Sequence, residues 1–285
     1  MKTRIITSVF IAIVLAAILL LSNTIAYSIA LSILAVIAAN EVLKVYDVDK
    51  KYLVSVPAYI VAAAMPTLSF VMTEVMEKAP SEFIIALALV MFVLMLYLFV
   101  VAVFAKGKIE FASLSAGFVL VMYITACFSA LSVIRYVTDA GMFNLGMVFI
   151  GAWISDIFAY FTGRFLGKHK LIPEVSPKKT IEGAIGGIIC SAGLTMLFGF
   201  LVSIFDKSVE PNYLVLGIMG LVLSVVSQFG DLWASIIKRQ YGIKDFGTLF
   251  PGHGGALDRF DSVLAICLLL LLISIWFNPF VAVAA

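Results

Sequence analysis

The sequence predicts an all-α, polytopic integral membrane protein of about nine transmembrane helices with its N-terminus in the cytoplasm. Three observations carry this expectation. Hydrophobic residues make up 63% of the 285 residues and charged residues only 13%, against the ~45–50% apolar share of soluble domains. The mean hydropathy is +1.15. Apolar runs also recur near the ~18–20 residues that a helix rising ~1.5 Å per residue needs to cross ~30 Å of hydrocarbon. Continuous runs of this kind lack the ~10-residue alternation of an outer-membrane barrel.

The expected spans run from Ile5 to Leu21, Thr24 to Ala39, Leu53 to Met72, Phe83 to Ala105, Phe111 to Val133, Gly141 to Phe161, Ala184 to Ile204, Tyr213 to Ile236 and Ser262 to Phe280. The first has the basic start and apolar core of a signal peptide, but its core exceeds the ~7–15 residues usual there, so it is expected as a retained helix. The second is short and interrupted by Ser28 and Ser32, which suits a segment that is tilted, half-inserted or fused to its neighbour. Cys127, Cys190 and Cys267 all fall inside spans, without metal-ligand spacing or a disulfide pattern, and are expected to pack.

Orientation follows from the basic residues, because cytoplasmic connectors retain Lys and Arg. With the N-terminus inside, all but Lys78, Arg135 and Lys207 of the 19 basic residues face the cytoplasm, Lys2 and Arg4 included. The C-terminal "NPFVAVAA" carries no charge to hold it there. The polar connectors, of roughly 20 residues at most, cannot fold an ordinary nucleotide-binding domain. Chemistry must therefore use helix ends and connectors. The chain divides into residues 1–140, about five spans, and residues 141–285, spans with long charged cytoplasmic connectors. No nucleic-acid partner is expected.

Two connectors concentrate the polar residues. After the sixth span, Asp156, Tyr160 and Arg164 recur every four residues, so a continuing helix places them on one face. Asp156 is a carboxylate within an apolar span, which by default signals function and a polar partner. Downstream, "SPKKTIEG", from Ser176 to Gly183, sets Lys178 and Lys179 before a helix that Thr180 is placed to cap. Paired lysines and free helix N–H groups make an anion site. The bland alternative is a basic retention signal with an ordinary cap.

The second region runs from Ser227 to Ser262 and contains "KDFGTLFPGHGGALDRFDS". Asp231 lies at membrane depth, flanked at four-residue spacing by Ser227 and Ser235; the bland reading pairs it with Lys238 or Arg239. Asp258 and Asp261 stand three apart at a helix start, on one side. Their repulsion is relieved by a cation, and hard ions such as Mg2+ take carboxylate oxygens together with water and substrate phosphates. The bland reading is acids complementing a helix dipole. The glycines around His253 suit a connector wrapping a phosphate. His253 either bonds phosphate or pins the loop. Four acids, two lysines and a glycine turn gathering at one membrane face favour a metal-phosphate site.

At these residues the sequence resembles the phosphatidate cytidylyltransferase, or CDP-diacylglycerol synthase, family. The resemblance is carried by Ser235, Lys238-Arg239, Lys244-Asp245, Pro251, His253-Gly254-Gly255, Asp258-Arg259 and Asp261, with "SPKKTIEG" and the acidic sixth span upstream. It implies transfer of CMP from CTP to phosphatidic acid, giving CDP-diacylglycerol and pyrophosphate in phospholipid biosynthesis. It also implies one or two Mg2+ ions on Asp231, Asp258 and Asp261, with Asp156 as a fourth ligand. Asp231, Asp258, Asp261 and Lys179 are then catalytic. Lys178, Lys179, Lys238 and Arg239 hold phosphates, and Ser176, Arg164, Lys244, His253 and Arg259 are further substrate contacts. The expected setting is the bacterial inner membrane, with the site facing the cytoplasm and a homodimer allowed. A CTP-dependent lipid kinase shares these needs but transfers the γ-phosphate. A transporter would explain Asp156 and Asp231 as pathway residues, yet transporter sites lie near the bilayer midplane.

Overall fold

Long apolar runs with few breakers leave the backbone no solvent to bond, so each run closes its own hydrogen bonds as a helix. The computed structural model of the chain describes residues 2–136 and 140–282, the side chains of residues 2–8, 10 and 282 excepted. The helices are α1 (Lys2–Leu20), α2 (Ile25–Val45), α3 (Tyr52–Phe70), α4 (Pro80–Ala105), α5 (Phe111–Ile134), α6 (Gly141–Phe149), α7 (Ser155–Leu166), α8 (Ile181–Phe205), α9 (Tyr213–Gln240) and α10 (Leu257–Trp276). A π-helical turn, Val71–Val75, extends α3, and a second, Ile150–Ile154, joins α6 to α7.

Among the described residues, eight helices are long and apolar enough to cross a membrane, α3 and the α6–α7 pair each counted with its π turn. Helix α1 adds Ile11–Leu20 as a shorter apolar stretch. The segment expected to be short is a full helix of 21 residues, because it continues past Ala39 through Asn40 and Glu41 to Val45. The last span begins at Leu257 rather than Ser262, which brings Asp258 and Asp261 into the helix itself. Lys2 and Arg4 of the charge argument have side chains outside the described ones, and residues 283–285 of the uncharged tail lie outside the described residues.

The chain forms two compact units. The first joins Met1–Val133 with Asp245–Arg259. Its core centres on α2, whose Tyr27, Leu31, Ala35, Ala38 and Val42 are buried. Polar side chains bond across its helices: Tyr27 donates to the Leu131 carbonyl at 3.2 Å, Ser28 pairs with Ser132 at 2.7 Å, and Ser32 pairs with Thr67 at 2.9 Å. In hydrocarbon such bonds hold helices together where apolar packing gives little preference over lipid.

The second unit comprises Ile134–Lys244 and Phe260–Ala285. Helix α8 packs against both α7 and α9. The α7–α8 seam is close: a Cβ on Gly187 would stand 2.9 Å from the Ser155 carbonyl oxygen, and one on Gly183 would stand 3.0 Å from the Gly163 Cα. Small residues at such seams let backbones approach. Two antiparallel hairpins occupy the connectors, β1 (Lys170–Ile172) with β2 (Ser176–Thr180) and β3 (Val209–Pro211) with β4 (Phe280–Ala282). Pro177 sits within β2. The cysteines are free thiols; Cys127 and Cys267 are buried.

Candidate active site

The polar residues that line a cavity in the second unit reach it by local rules of helix and hairpin geometry. The π turn at Ile150–Ile154 precedes Ser155 and Asp156 directly; such turns re-aim the residues that follow them and recur at functional sites. Helix α7 then places Asp156, Tyr160 and Arg164 one turn apart, and the Arg164 guanidinium donates to the Tyr160 hydroxyl at 3.0 Å. Strand β2 delivers Lys178 and Lys179 and ends on Thr180. The Thr180 hydroxyl accepts the Gly183 N–H at 3.2 Å, the expected cap of α8. The hairpin is tied to the same helix end by His169, whose Nδ1 lies 2.6 Å from Glu182 Oε1 and whose backbone N–H also donates to that carboxylate.

These residues surround a cavity of about 400 Å³, within the size range of small-molecule sites. Its walls carry four basic side chains, Arg164, Lys170, Lys178 and Lys179, against two acids, Asp156 and Asp231. The excess of positive charge suits a polyphosphate. Lys179 and Asp231 form an ion pair at 2.5 Å, with side chains 23% and 30% exposed. The cation that Asp231 meets is thus Lys179, from a different element, where a reading along one helix suggested Lys238 or Arg239. Seven residues are about two turns, roughly 10 Å along the axis. Lys238 instead lies within electrostatic reach of Asp261, which also senses Asp231 and Asp156. Ser262 joins this group by donating to Asp156 at 3.4 Å.

The donor chemistry fits a divalent ion. Asp156, Asp231 and Asp261 offer hard carboxylate oxygens, the type that Mg2+ takes. Among the described residues no three acidic, histidine or cysteine side chains form a ready-made cage. An ion of this kind commonly uses one or two carboxylates and completes its shell with water and substrate phosphate.

The remaining candidates are not among the residues that line this cavity. Ser176 opens β2 and does not line the cavity; Lys238 and Arg239 occupy the last turn of α9, and Lys244 follows it. Asp258, His253 and Arg259 belong to the first unit. There the glycine loop wraps carboxylates. One Asp258 oxygen accepts the N–H groups of Phe246 at 2.7 Å and Gly255 at 2.9 Å. Glu41 accepts those of Ala256 at 2.8 Å and Leu257 at 2.9 Å. Of the glycine turn, the Gly255 N–H is thus engaged by one of the protein's own acids. The His253 N–H closes a tight turn onto the Phe250 carbonyl at 2.8 Å.

Three contributors escaped the sequence reading. Lys170 and Gln228 line the cavity, Gln228 donating to the Ala184 carbonyl at 3.2 Å. Glu41 is the third. Both Gln228 and Glu41 are polar residues in apolar runs, the signal that singled out Asp156.

The sequence profile of the cytidylyltransferase family matches residues 2–277. The chain is 34% identical over 272 residues to a phosphatidate cytidylyltransferase of Staphylococcus haemolyticus, covering 95% of this chain and 97% of the relative. It is 35% identical over 266 residues to the Bacillus subtilis phosphatidate cytidylyltransferase, covering 93% and 94%. A Staphylococcus aureus protein of the same name is 34% identical over 273 residues, covering 95% and 97%.

Proposed function

We propose, because this chain belongs to the cytidylyltransferase family, that it transfers CMP from CTP to phosphatidic acid, yielding CDP-diacylglycerol and pyrophosphate. The observation that carries this reading is the cavity in which Arg164, Lys170, Lys178 and Lys179 meet Asp156 and Asp231, in a chain whose helices suit a membrane. A lipid phosphate and a nucleotide triphosphate both need cations, and only a membrane-embedded site can leave the acyl tails in apolar surroundings.

The nucleophile needs little activation. A phosphate monoester has its second ionisation near pH ~6, so phosphatidate carries a ready oxyanion at neutral pH. That oxygen attacks the α-phosphorus of CTP in line. The new O–P bond forms as the bond to the β-phosphate oxygen breaks, and the electron pair leaves with pyrophosphate. Arg164, Lys178 and Lys179 hold the phosphates and offset the charge that develops, the largest usual term in such catalysis. Lys238 and Arg239 extend the basic end of α9, and Ser176, Lys244, His253 and Arg259 are further contacts in the same proposal. Asp156, Asp231 and Asp261 would hold Mg2+, with Asp258 as a candidate that also anchors its loop. When bound, the ion neutralises phosphate charge and assists departure of pyrophosphate.

This reading assigns the chemistry to residues 141–285, with the glycine loop supporting it. It sets nine spans in the bacterial plasma membrane, with the N-terminus and the site facing the cytoplasm. The test uses purified protein in mixed micelles with phosphatidate, Mg2+ and CTP labelled at the α- or the γ-phosphate. Label from the α-position should enter lipid while γ-label leaves as pyrophosphate. Lipid label from the γ-position would make the protein a kinase, and no label from either would overturn the assignment. Light scattering on the same preparation decides between a monomer and a homodimer.

A further inference from the structure

Glu41 is an acid in the middle of an apolar region, and nothing in the reaction above uses it. It lies near the end of α2, a helix apolar enough to span the membrane, and is 5% exposed. A carboxylate in such a place is retained only with strong partners. Its partners are two backbone N–H groups, those of Ala256 and Leu257, at 2.8 and 2.9 Å. These are the donors at the very start of α10, where unsatisfied N–H groups and the helix dipole attract an anion. Glu41 is thus a cap for α10 supplied from a residue 215 positions earlier.

Two glycines show how tightly the loop is built on this side chain. A Cβ on Gly247 or on Gly255 would collide with the Glu41 carboxylate. Asp258 fixes the other side of the loop through Phe246 and Gly255. Gly254, at φ +87°, takes a left-handed conformation that L side chains rarely adopt, and a Cβ there would also crowd Asp258. Four consecutive elements of the loop end, Gly255, Ala256, Leu257 and Asp258, are thereby set by two carboxylates.

We infer that Glu41 is a positioning residue for the transfer reaction: it fixes the start of α10, the helix that presents Asp258, Arg259 and Asp261. The inference rests on the proposed cytidylyl transfer, because the residues so presented are those assigned to it. Glu41 itself touches no substrate. Its loss should therefore act on the rate of the chemical step more than on substrate binding.

The test compares full-length wild-type, Glu41→Gln and Glu41→Asp proteins in lipid nanodiscs by hydrogen exchange and steady-state kinetics. A glutamine offers one carbonyl acceptor in place of two, so one of the two N–H groups loses its partner. The expected result is faster amide exchange across residues 246–258 in Glu41→Gln, with kcat reduced about tenfold or more and KM for CTP within about threefold of wild type. Glu41→Asp, a shortened acceptor with its charge intact, should fall between the two. If Glu41→Gln does not give folded protein, Gly255→Ala applies the same test by pressing a methyl group against the carboxylate; the added Glu41→Asp change should then restore part of kcat by withdrawing one methylene. Unchanged exchange in the loop, or faster exchange with unchanged kcat per folded molecule, would overturn the inference. A wild-type protein that makes no CDP-diacylglycerol would instead overturn the proposed function, and the exchange arm would still report on the cap.

Discussion

The Lys179–Asp231 pair joins the two kinds of group that the proposed transfer calls for, a cation for phosphate and an acid for the metal. Lys179→Met should lower kcat by roughly 10²-fold, the size of loss seen when one charge-stabilising contact is removed from a transition state. Asp231→Asn and Asp261→Asn should each cost at least as much in Mg2+-dependent turnover. Asp258→Asn should behave differently. Its amide replaces a carboxylate that holds two backbone donors, so it should lower the melting temperature as well as turnover. Normal turnover in all three asparagine variants would refute the ion-binding assignment. Asp156, Asp231, Lys178 and Lys179 were legible because charges stand out in apolar sequence. The pairing of Lys179 with Asp231 was not, since sequence spacing reports neighbours three or four apart on one helix and these two lie on different elements. The partners of Glu41, at least 215 residues away, were hidden for the same reason.

Among elements, α7, β2 and α8 act together: the hairpin brings the lysines, Thr180 starts α8, and the glycine seam holds α8 against α7. Thr180→Ala should cost about 1 kcal/mol through the lost cap. Gly187→Val should cost about 1–3 kcal/mol through overpacking, since its branched side chain meets the Ser155 carbonyl. Thermal unfolding in detergent measures both, and a Gly187→Val protein as stable as wild type would show that the seam can open. The cap was readable from "SPKKTIEG" because capping is local. The hairpins were not, because strands of three to five residues are too short to show a hydrophobic alternation. The π turn before Asp156 left no sequence signal either; Gly151 and Trp153 lie in it, but neither demands an extra residue per turn.

For the molecule as a whole, the number of crossings decides which side each terminus occupies. Eight helices satisfy the length and hydropathy of a span among the described residues, and α1 would make nine. Nine spans put the termini on opposite sides, whereas eight put them on the same side. Alkaline phosphatase and fluorescent reporters fused to each end should therefore report the N-terminus inside and the C-terminus outside; both reporters on one side would remove α1 from the membrane. The many large apolar residues left exposed, such as Phe104 at 76% and Leu214 at 74%, are where lipid is expected to lie, and composition alone foretold that surface. A gene for this chain consequently carries its hazards unevenly. Missense changes that swap one apolar residue for another on the lipid-facing surfaces pass with little effect, because fluid tails adapt to any contour. At Gly183 and Gly187 every possible amino-acid replacement adds atoms where a neighbouring backbone already stands, so missense change at these codons carries a cost and marks where inherited variation is most readily purged.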